Sequence, residues 1–353
     1  PMMDTPQVIK DAAINSLQEN RTHYPPVAGL AELRKVATSW MNTEFDADYN
    51  EDEVIVSSGG KFGIYLTLQS IIQPKDEVLI ISPYWVSYPD MVKIFGGEPK
   101  IVKTSEKNGW KPSVNDLQNS VSKQTKMLIL NNASNPTGVL YTKEEIQNIL
   151  EFARKNKLVV LSDEVYSGLV YDGKKYISCA SFSDYKDNVI VIQSCSKNLA
   201  MTGWRIGFVF GPKQFIKVLI SLTSQSTSGV TSISQYAALA GLQNIEKIVP
   251  LINKEMQKRR DGFVSTFNTL FTTKINPPAS ALYCFVPMSA FGVKETDSIK
   301  FCENILQKSN VAIVPGAAFG QDGYVRCSFG GDENEVSAGL RALFAIHCKE
   351  GRM

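Results

Sequence analysis

The chain is expected to fold as an α/β protein, with a mostly parallel central sheet carrying helices on both faces and a smaller α+β domain beside it. Three observations carry that expectation. From Val54 onward, short apolar runs alternate with longer amphipathic segments, the pattern of strands joined by crossover helices. Nearly every run closes on a polar cluster, and the carboxyl ends of strands in open α/β sheets are where ligands bind. After the last of these runs the alternation gives way to long helical stretches and then to isolated strands.

Taken in order, Asp4-Thr5-Pro6 reads as an N-cap followed by proline in the first turn, opening a helix to about Gln18. A second helix is expected over residues 30–41. The runs VIVSS, EVLIIS, EPKIVK, MLILNN, LVVLSD, NVIVIQS and IGFVFG are rich in Val and Ile and bounded by turn residues, so they read as buried strands. Their closing clusters are Ser57-Ser58-Gly59-Gly60, Ser82-Pro83, Asn131-Asn132, Asp163-Glu164 and Ser194-Cys195-Ser196, which should converge on one site. Helical segments follow over residues 212–222 and 231–271. ALYCFVP, a helix near Lys300, VAIVPG, GYVRCSF and a last helix from Asp332 build the smaller domain. The expected division is a large domain over residues 20–250 and a small one made from residues 1–19 and 251–353.

A length of 353 residues suits one large domain plus a smaller one. With a formal charge of +2 and 43% hydrophobic residues, the chain reads as a soluble globular protein without a basic field for nucleic acid. No apolar run reaches the ~18 residues of a membrane span and no signal peptide opens the chain, so no membrane partner and a cytoplasmic location are expected. Six cysteines lack CxxC spacing, which argues against a zinc site or a disulfide framework. Two histidines, His23 and His347, leave little for histidine-based metal or triad chemistry. Because the first residue is Pro1, the native N-terminus is expected to be missing.

The stretch SCSKNLAMTGWRIG, residues 194–207, sets a lysine and an arginine eight residues apart among serines and glycines. A guanidinium and a hydroxyl both donate to phosphoryl oxygens, so Arg205 and Ser194 suit a phosphate, and Lys197 then needs another partner. In SSGGKFGIYL the N–H groups of Gly60 and Lys61 would open a helix toward an anion, although such glycines also make plain turns. It is neither a phosphate-binding loop of the G-x-x-x-x-G-K-[ST] type nor a dinucleotide fingerprint. Asp163 ends a strongly apolar strand, where a carboxylate needs a cation or else serves as a turn cap, and Tyr166 follows three residues later. NNASNPTG could be a turn alone. Together these features fit pyridoxal 5'-phosphate: a phosphate pocket, a carboxylate for a protonated ring nitrogen, a tyrosine and Asn135 for a phenolate oxygen, and Lys197 for the aldehyde.

On these residues the chain resembles the class I, fold type I, pyridoxal-phosphate aminotransferases, in the branch of bacterial aspartate aminotransferase. The family pattern S-x-S-K-x5-G-x-R-x-G is met by Ser194, Ser196, Lys197, Gly203, Arg205 and Gly207, with SPYWVSYPDMV, NNASNPTG, DEVY and THYPPVAGLAELR in the same order. The resemblance implies that Lys197 forms the covalent link to the cofactor and then moves the substrate proton. Asp163 would hold the ring nitrogen protonated, Tyr166 and Asn135 would bond the ring oxygen, and Trp85 would lie against the ring face. Gly60, Lys61, Ser194 and Arg205 would hold the phosphate. Arg326 would fork the substrate α-carboxylate, with Asn135, Trp85 and Lys61 also touching substrate, and Lys61 facing the distal group of a dicarboxylic donor. Tyr24 would reach the phosphate of a neighbouring subunit, implying a homodimer with shared active sites.

The reaction implied is amino transfer between an amino acid, aspartate or another dicarboxylic donor, and a 2-oxo acid such as 2-oxoglutarate. Alternatives are a lyase or decarboxylase of the same cofactor class, an aminotransferase-like sensor domain of a regulator, or an inactive scaffold. The family's glycine before the P-x-x-x-T-P segment has no counterpart, since the chain opens at PMMDTP.

Overall fold

A computed structural model describes residues 3–293 and 296–349. Seven strands form the main sheet: β1 Val54–Ser57, β2 Glu77–Ile81, β3 Glu98–Val102, β4 Thr125–Asn131, β5 Val159–Asp163, β6 Val189–Ser194 and β7 Gly207–Phe210. Each falls on one of the apolar runs. The spatial order is β1-β7-β6-β5-β4-β2-β3. Neighbours pair in parallel except at β7, which is antiparallel to both β1 and β6 and is therefore the one reversed strand.

Both faces of the sheet are buried except along the edge strand β3, expected to be buried but with only Val102 covered because it has a neighbour on one side alone, and the period-2 geometry of a strand divides its side chains between the faces. Met127 and Ile129 of β4 pack with Ile64 and Leu68 of the helix Gly60–Ile71 and with Ile216 and Leu219 of the helix Lys213–Ser226. Leu128 and Leu130 face the opposite way, toward a core that includes Leu33 and Met41 of the helix Ala31–Phe45 and Ile146 and Leu150 of the helix Lys143–Lys155. Each such side chain contributes about 1.5–3 kcal/mol on leaving water. Continuous Val/Ile runs without alternation are the sequence trace of this two-sided burial.

A second sheet holds β8 Tyr283–Pro287, β9 Val314–Pro315 and β10 Tyr324–Ser328, in the order β8-β10-β9 and antiparallel throughout. The VAIVPG run contributes only two residues. Pro315 has no N–H for a ladder, so the pairing stops there on an edge strand. This sheet meets the main one at the carboxyl end of β2: Tyr84 N–H donates to Phe319 O at 3.1 Å and the Ser82 hydroxyl to Gly320 O at 3.1 Å. Gly320 sits at φ +72°, and a Cβ there would lie 2.5 Å from the Tyr84 ring.

The N-terminal helix runs Gln7–Gln18, with Pro6 rather than Asp4 at its N-cap and no side-chain cap. Tertiary contacts decide that start, because the Thr5 hydroxyl donates to Ala200 O at 2.8 Å and accepts from Trp204 Nε1 at 2.9 Å. Expected to join the C-terminal segment, this helix instead packs on the helix Ser232–Gln243, where a Cβ on Gly241 would lie 3.0 Å from Ile9. The second helix extends past residue 41 to Phe45, ending at Asp46 in the left-handed conformation. The stretch 231–271 is two helices, Ser232–Gln243 and Ile245–Leu270, broken at Asn244. No helix among the described residues is long and apolar enough to cross a membrane.

Candidate active site

The polar strand ends surround a cavity of about 330 Å³ at the carboxyl edge of the main sheet, with Arg326 closing it from β10. One wall is the start of the helix Gly60–Ile71, which has no side-chain cap. The first N–H groups of such a helix lack intrahelical partners and carry partial positive charge, so Gly60 and Lys61 present an anion cradle. The reversal of β7 brings Arg205, which precedes that strand, to the same edge, where it donates to Thr202 O at 2.9 Å. Two glycines make this approach feasible. A Cβ on Gly59, at φ +86°, would lie 2.4 Å from Arg205 Nη2, and one on Gly207 would lie 2.6 Å from the Gly60 nitrogen.

Asp163 ends β5 on the cavity lining and is 4% exposed. Burial pushes its carboxyl up to about 6, against the hydrogen bonds that stabilise the charged form. Those bonds come from the Tyr88 hydroxyl at 2.5 Å and, more weakly, from Val165 N–H at 3.4 Å. Among the described residues no lysine or arginine bridges Asp163, so its charge awaits a cation from elsewhere. Tyr88 is itself fully buried, and burial first and Asp163 second hold its hydroxyl far above the usual range. One turn earlier lies Trp85, whose ring meets Tyr88 edge-on at 5.3 Å and carries the exposed Lys61 ammonium 4.7 Å above it.

The NNASNPTG turn is held from within: Asn135 N–H donates to Asn131 Oδ1 at 2.8 Å, and Asn131 Nδ2 donates to Asp163 O at 3.0 Å. Arg326 Nη1 donates to Asn135 Oδ1 at 3.0 Å, leaving the Asn135 amide NH2 for a ligand. The guanidinium lies 4.2 Å from the Tyr283 ring centroid and 5.0 Å from that of Phe319. Its Nε is buried with no partner among the described residues, a position that costs about 1–3 kcal/mol until an acceptor arrives. Tyr166 shares a hydrogen bond with Tyr283 at 3.1 Å, and burial and that neighbour hold its hydroxyl well above 10.

Lys197 sits on the short helix Cys195–Asn198 directly after β6, half-buried on the cavity wall, and makes no hydrogen bond or ion pair with the described residues. Ser194 caps that helix by accepting from Ser196 N–H at 3.1 Å and donates to Ile206 O at 3.2 Å. Its hydroxyl proton must therefore leave Ile206 to serve a phosphate, whereas Ser196, also on the lining, is half-buried. Tyr24 stands outside the cavity, 91% exposed. Sequence reasoning missed Tyr88 and Tyr283. The only signal for Tyr88 was its place one turn after Trp85, and for Tyr283 its alternation with the buried residues of β8.

A family model described as aminotransferase class I and II matches residues 1–343. The chain is 37% identical over 343 residues to the aspartate aminotransferase of Bacillus subtilis (strain 168), covering 93% of this chain and 84% of that relative. Among solved structures it is similar to the aspartate aminotransferase of Thermus thermophilus with maleate, at 33% identity and a TM-score of 0.93, covering 98% and 89% of the two chains. It is also similar to an aromatic aminotransferase from Pyrococcus horikoshii OT3, at 32% identity and a TM-score of 0.95, covering 100% and 94%.

Proposed function

Because this chain belongs to the aminotransferases of class I and II, we propose that it transfers the amino group of a dicarboxylic amino acid, aspartate first, to 2-oxoglutarate. Aminotransferases of this class use pyridoxal 5'-phosphate, and the chain is such a transaminase, acting on amino-acid and 2-oxo-acid substrates. The residues fit that cofactor. A buried carboxylate without a cationic side chain among the described residues suits a protonated ring nitrogen, and an uncapped helix start beside Arg205 suits a phosphate. When bound, the cofactor supplies an aldehyde for the amino group and a ring that takes up the electron pair left at Cα.

The chain's own residues do the rest. Lys197 would carry the cofactor and, once freed, would accept the Cα proton as a general base and deliver it as a general acid to the carbon that came from the cofactor's aldehyde. Asp163 would keep the ring nitrogen protonated through a charge-assisted bond, and Tyr88 holds the carboxylate. The hydroxyl of Tyr166 and the free amide of Asn135 would serve the ring oxygen, and Trp85 would offer its face to the ring. Gly60, Lys61, Ser194 and Arg205 would hold the phosphate. Arg326 forks the α-carboxylate, for which its unpartnered Nε is the observation that carries the reading. A carboxylate there satisfies the orphan donor and the Asn135 contact together.

Choice of a dicarboxylic donor rests on Lys61, a cation at the cavity mouth without an anionic partner among the described residues, and on the maleate of the Thermus neighbour. A homodimer is proposed with it, in which the exposed Tyr24 reaches the phosphate of a second copy. A cytoplasmic location accords with six free cysteines. The deciding experiment is a panel of aspartate, glutamate, phenylalanine and alanine with 2-oxoglutarate or oxaloacetate, followed as keto-acid product. The reading expects kcat/KM highest for aspartate or glutamate; an aromatic donor leading the panel overturns the substrate choice.

A further inference from the structure

Behind the cavity wall runs a chain of buried polar side chains, none of which lines the cavity that holds Lys197. Glu164 is fully buried, and its Oε1 accepts from the Ser162 hydroxyl at 2.8 Å and from Cys179 N–H at 2.9 Å. Its other oxygen faces Gln193 Nε2 at 3.5 Å. Gln193, equally buried, accepts from the Ser167 hydroxyl at 3.0 Å. Ser167 accepts in turn from the Asn198 amide at 3.0 Å, and Asn198 Oδ1 accepts from Gly168 N–H at 3.1 Å.

Every member adjoins a cavity residue in the sequence. Glu164 follows Asp163, Gln193 precedes Ser194, Ser167 follows Tyr166 and Asn198 follows Lys197. The chain thus crosses from the end of β5 to the end of β6, then through the turn after β5 to the helix that carries Lys197. An apolar filling of the same volume would avoid the desolvation of these groups. What hydrogen bonds add over apolar packing is direction, since they fix neighbouring backbones at one separation and orientation.

We propose that the Glu164–Gln193–Ser167–Asn198 chain is a positioning device that holds Asp163, Tyr166, Ser194 and Lys197 in mutual register, a role resting on the reading of their cavity as the transamination site. Its members touch neither substrate nor cofactor; they act through their neighbours. Displacement of a reacting group by about 1 Å costs on the order of 10²-fold in rate, so partial loosening of the register costs less than that.

The test uses the holoenzyme with Ser167→Ala, Asn198→Ala, the double variant and Ser167→Thr. The last keeps the hydroxyl, and a crevice of about 250 Å³ beside Ser167 leaves room for the added methyl. Each alanine variant is expected to lower kcat by roughly ten-fold or more with little change in KM, and to shift the pH midpoint of the bound cofactor's absorbance. The double variant should lose no more than the worse single, because one break already opens the chain. Ser167→Thr should restore both readouts. Lowered Tm with unchanged kcat and unchanged absorbance would overturn the proposal, as would losses that multiply in the double variant. If Asn198→Ala does not fold, the Ser167→Ala and Ser167→Thr pair decides. A wild-type protein that binds cofactor yet transfers no amino group defeats the transaminase reading instead, and the absorbance comparison still decides the positioning.

Discussion

Replacing Asp163 by asparagine keeps the shape and removes the charge, so it separates the carboxylate's electrostatic work from its packing. In the cofactor-free protein that charge is a liability. Burial raises the carboxyl to about 6, against about 3.9 in an unfolded chain. A raised folded value means that the associated stability is fully present below about pH 3.9 and is lost as pH rises through about 6. At about 1.4 kcal/mol for each pH unit, the shift, already net of the opposing Tyr88 hydrogen bond, amounts to roughly 3 kcal/mol of destabilisation near pH 8. Asp163→Asn should therefore leave the apo protein at least as stable as the wild type at pH 8, and its advantage should shrink at pH 5.

With cofactor the sign reverses. Two unit charges about 4 Å apart at an effective dielectric near 20 attract by about 4 kcal/mol. At about 1.4 kcal/mol per decade, losing that attraction where charge develops lowers kcat on the order of 10²- to 10³-fold. The assays are thermal melts of apo protein at pH 5 and 8, and kcat with aspartate and 2-oxoglutarate at saturating cofactor. A stably folded variant with kcat within ten-fold of wild type refutes the role given to Asp163. An apo variant several degrees less stable at pH 8 refutes the desolvation argument.

Lys197→Ala should abolish turnover while still binding pyridoxal phosphate through phosphate and ring contacts, and borohydride should fix the cofactor to Lys197 in the wild type; a labelled peptide elsewhere sinks the assignment. Arg326→Lys keeps the charge but loses the fork and the contact with Asn135, so KM for every amino acid should rise by about ten-fold or more in steady-state kinetics. Lys61→Ala should raise KM for aspartate and glutamate far more than for phenylalanine, and equal losses for all donors would remove it from substrate selection. Gly59→Ala should weaken cofactor affinity in a fluorescence titration, because its Cβ would displace Arg205 and its φ of +86° strains any residue with a side chain.

Most of the main strands were legible in the sequence because a strand buried on both faces leaves an unbroken apolar run, a local signature that needs no knowledge of neighbours; the edge strand β3 lacks it, with only Val102 buried. The polar residues closing those runs were legible for the same reason, since a desolvated Asp163 or Asn131 at the end of an apolar strand stands out against its own surroundings. Their convergence followed from the parallel sheet, and the structure gathers Gly60, Lys61, Trp85, Asn135, Asp163, Tyr166, Ser194, Lys197, Arg205 and Arg326 around one cavity, with Tyr24 outside it. The reversal of a single strand was not legible. Hydrophobic pattern is the same read either way, so only the fold shows that β7 runs backwards and delivers Arg205 from the residues before it. Nor could spacing reveal that Tyr88 bonds a carboxylate 75 residues away, or that Thr5 rather than Asp4 anchors the first helix through Ala200 and Trp204. A buried tyrosine on a helix and a glutamine within a strand look like core or accident in sequence. Their partners lie far along the chain, and hydrogen-bond partnership is a property of distance in space, which closure of the whole fold sets.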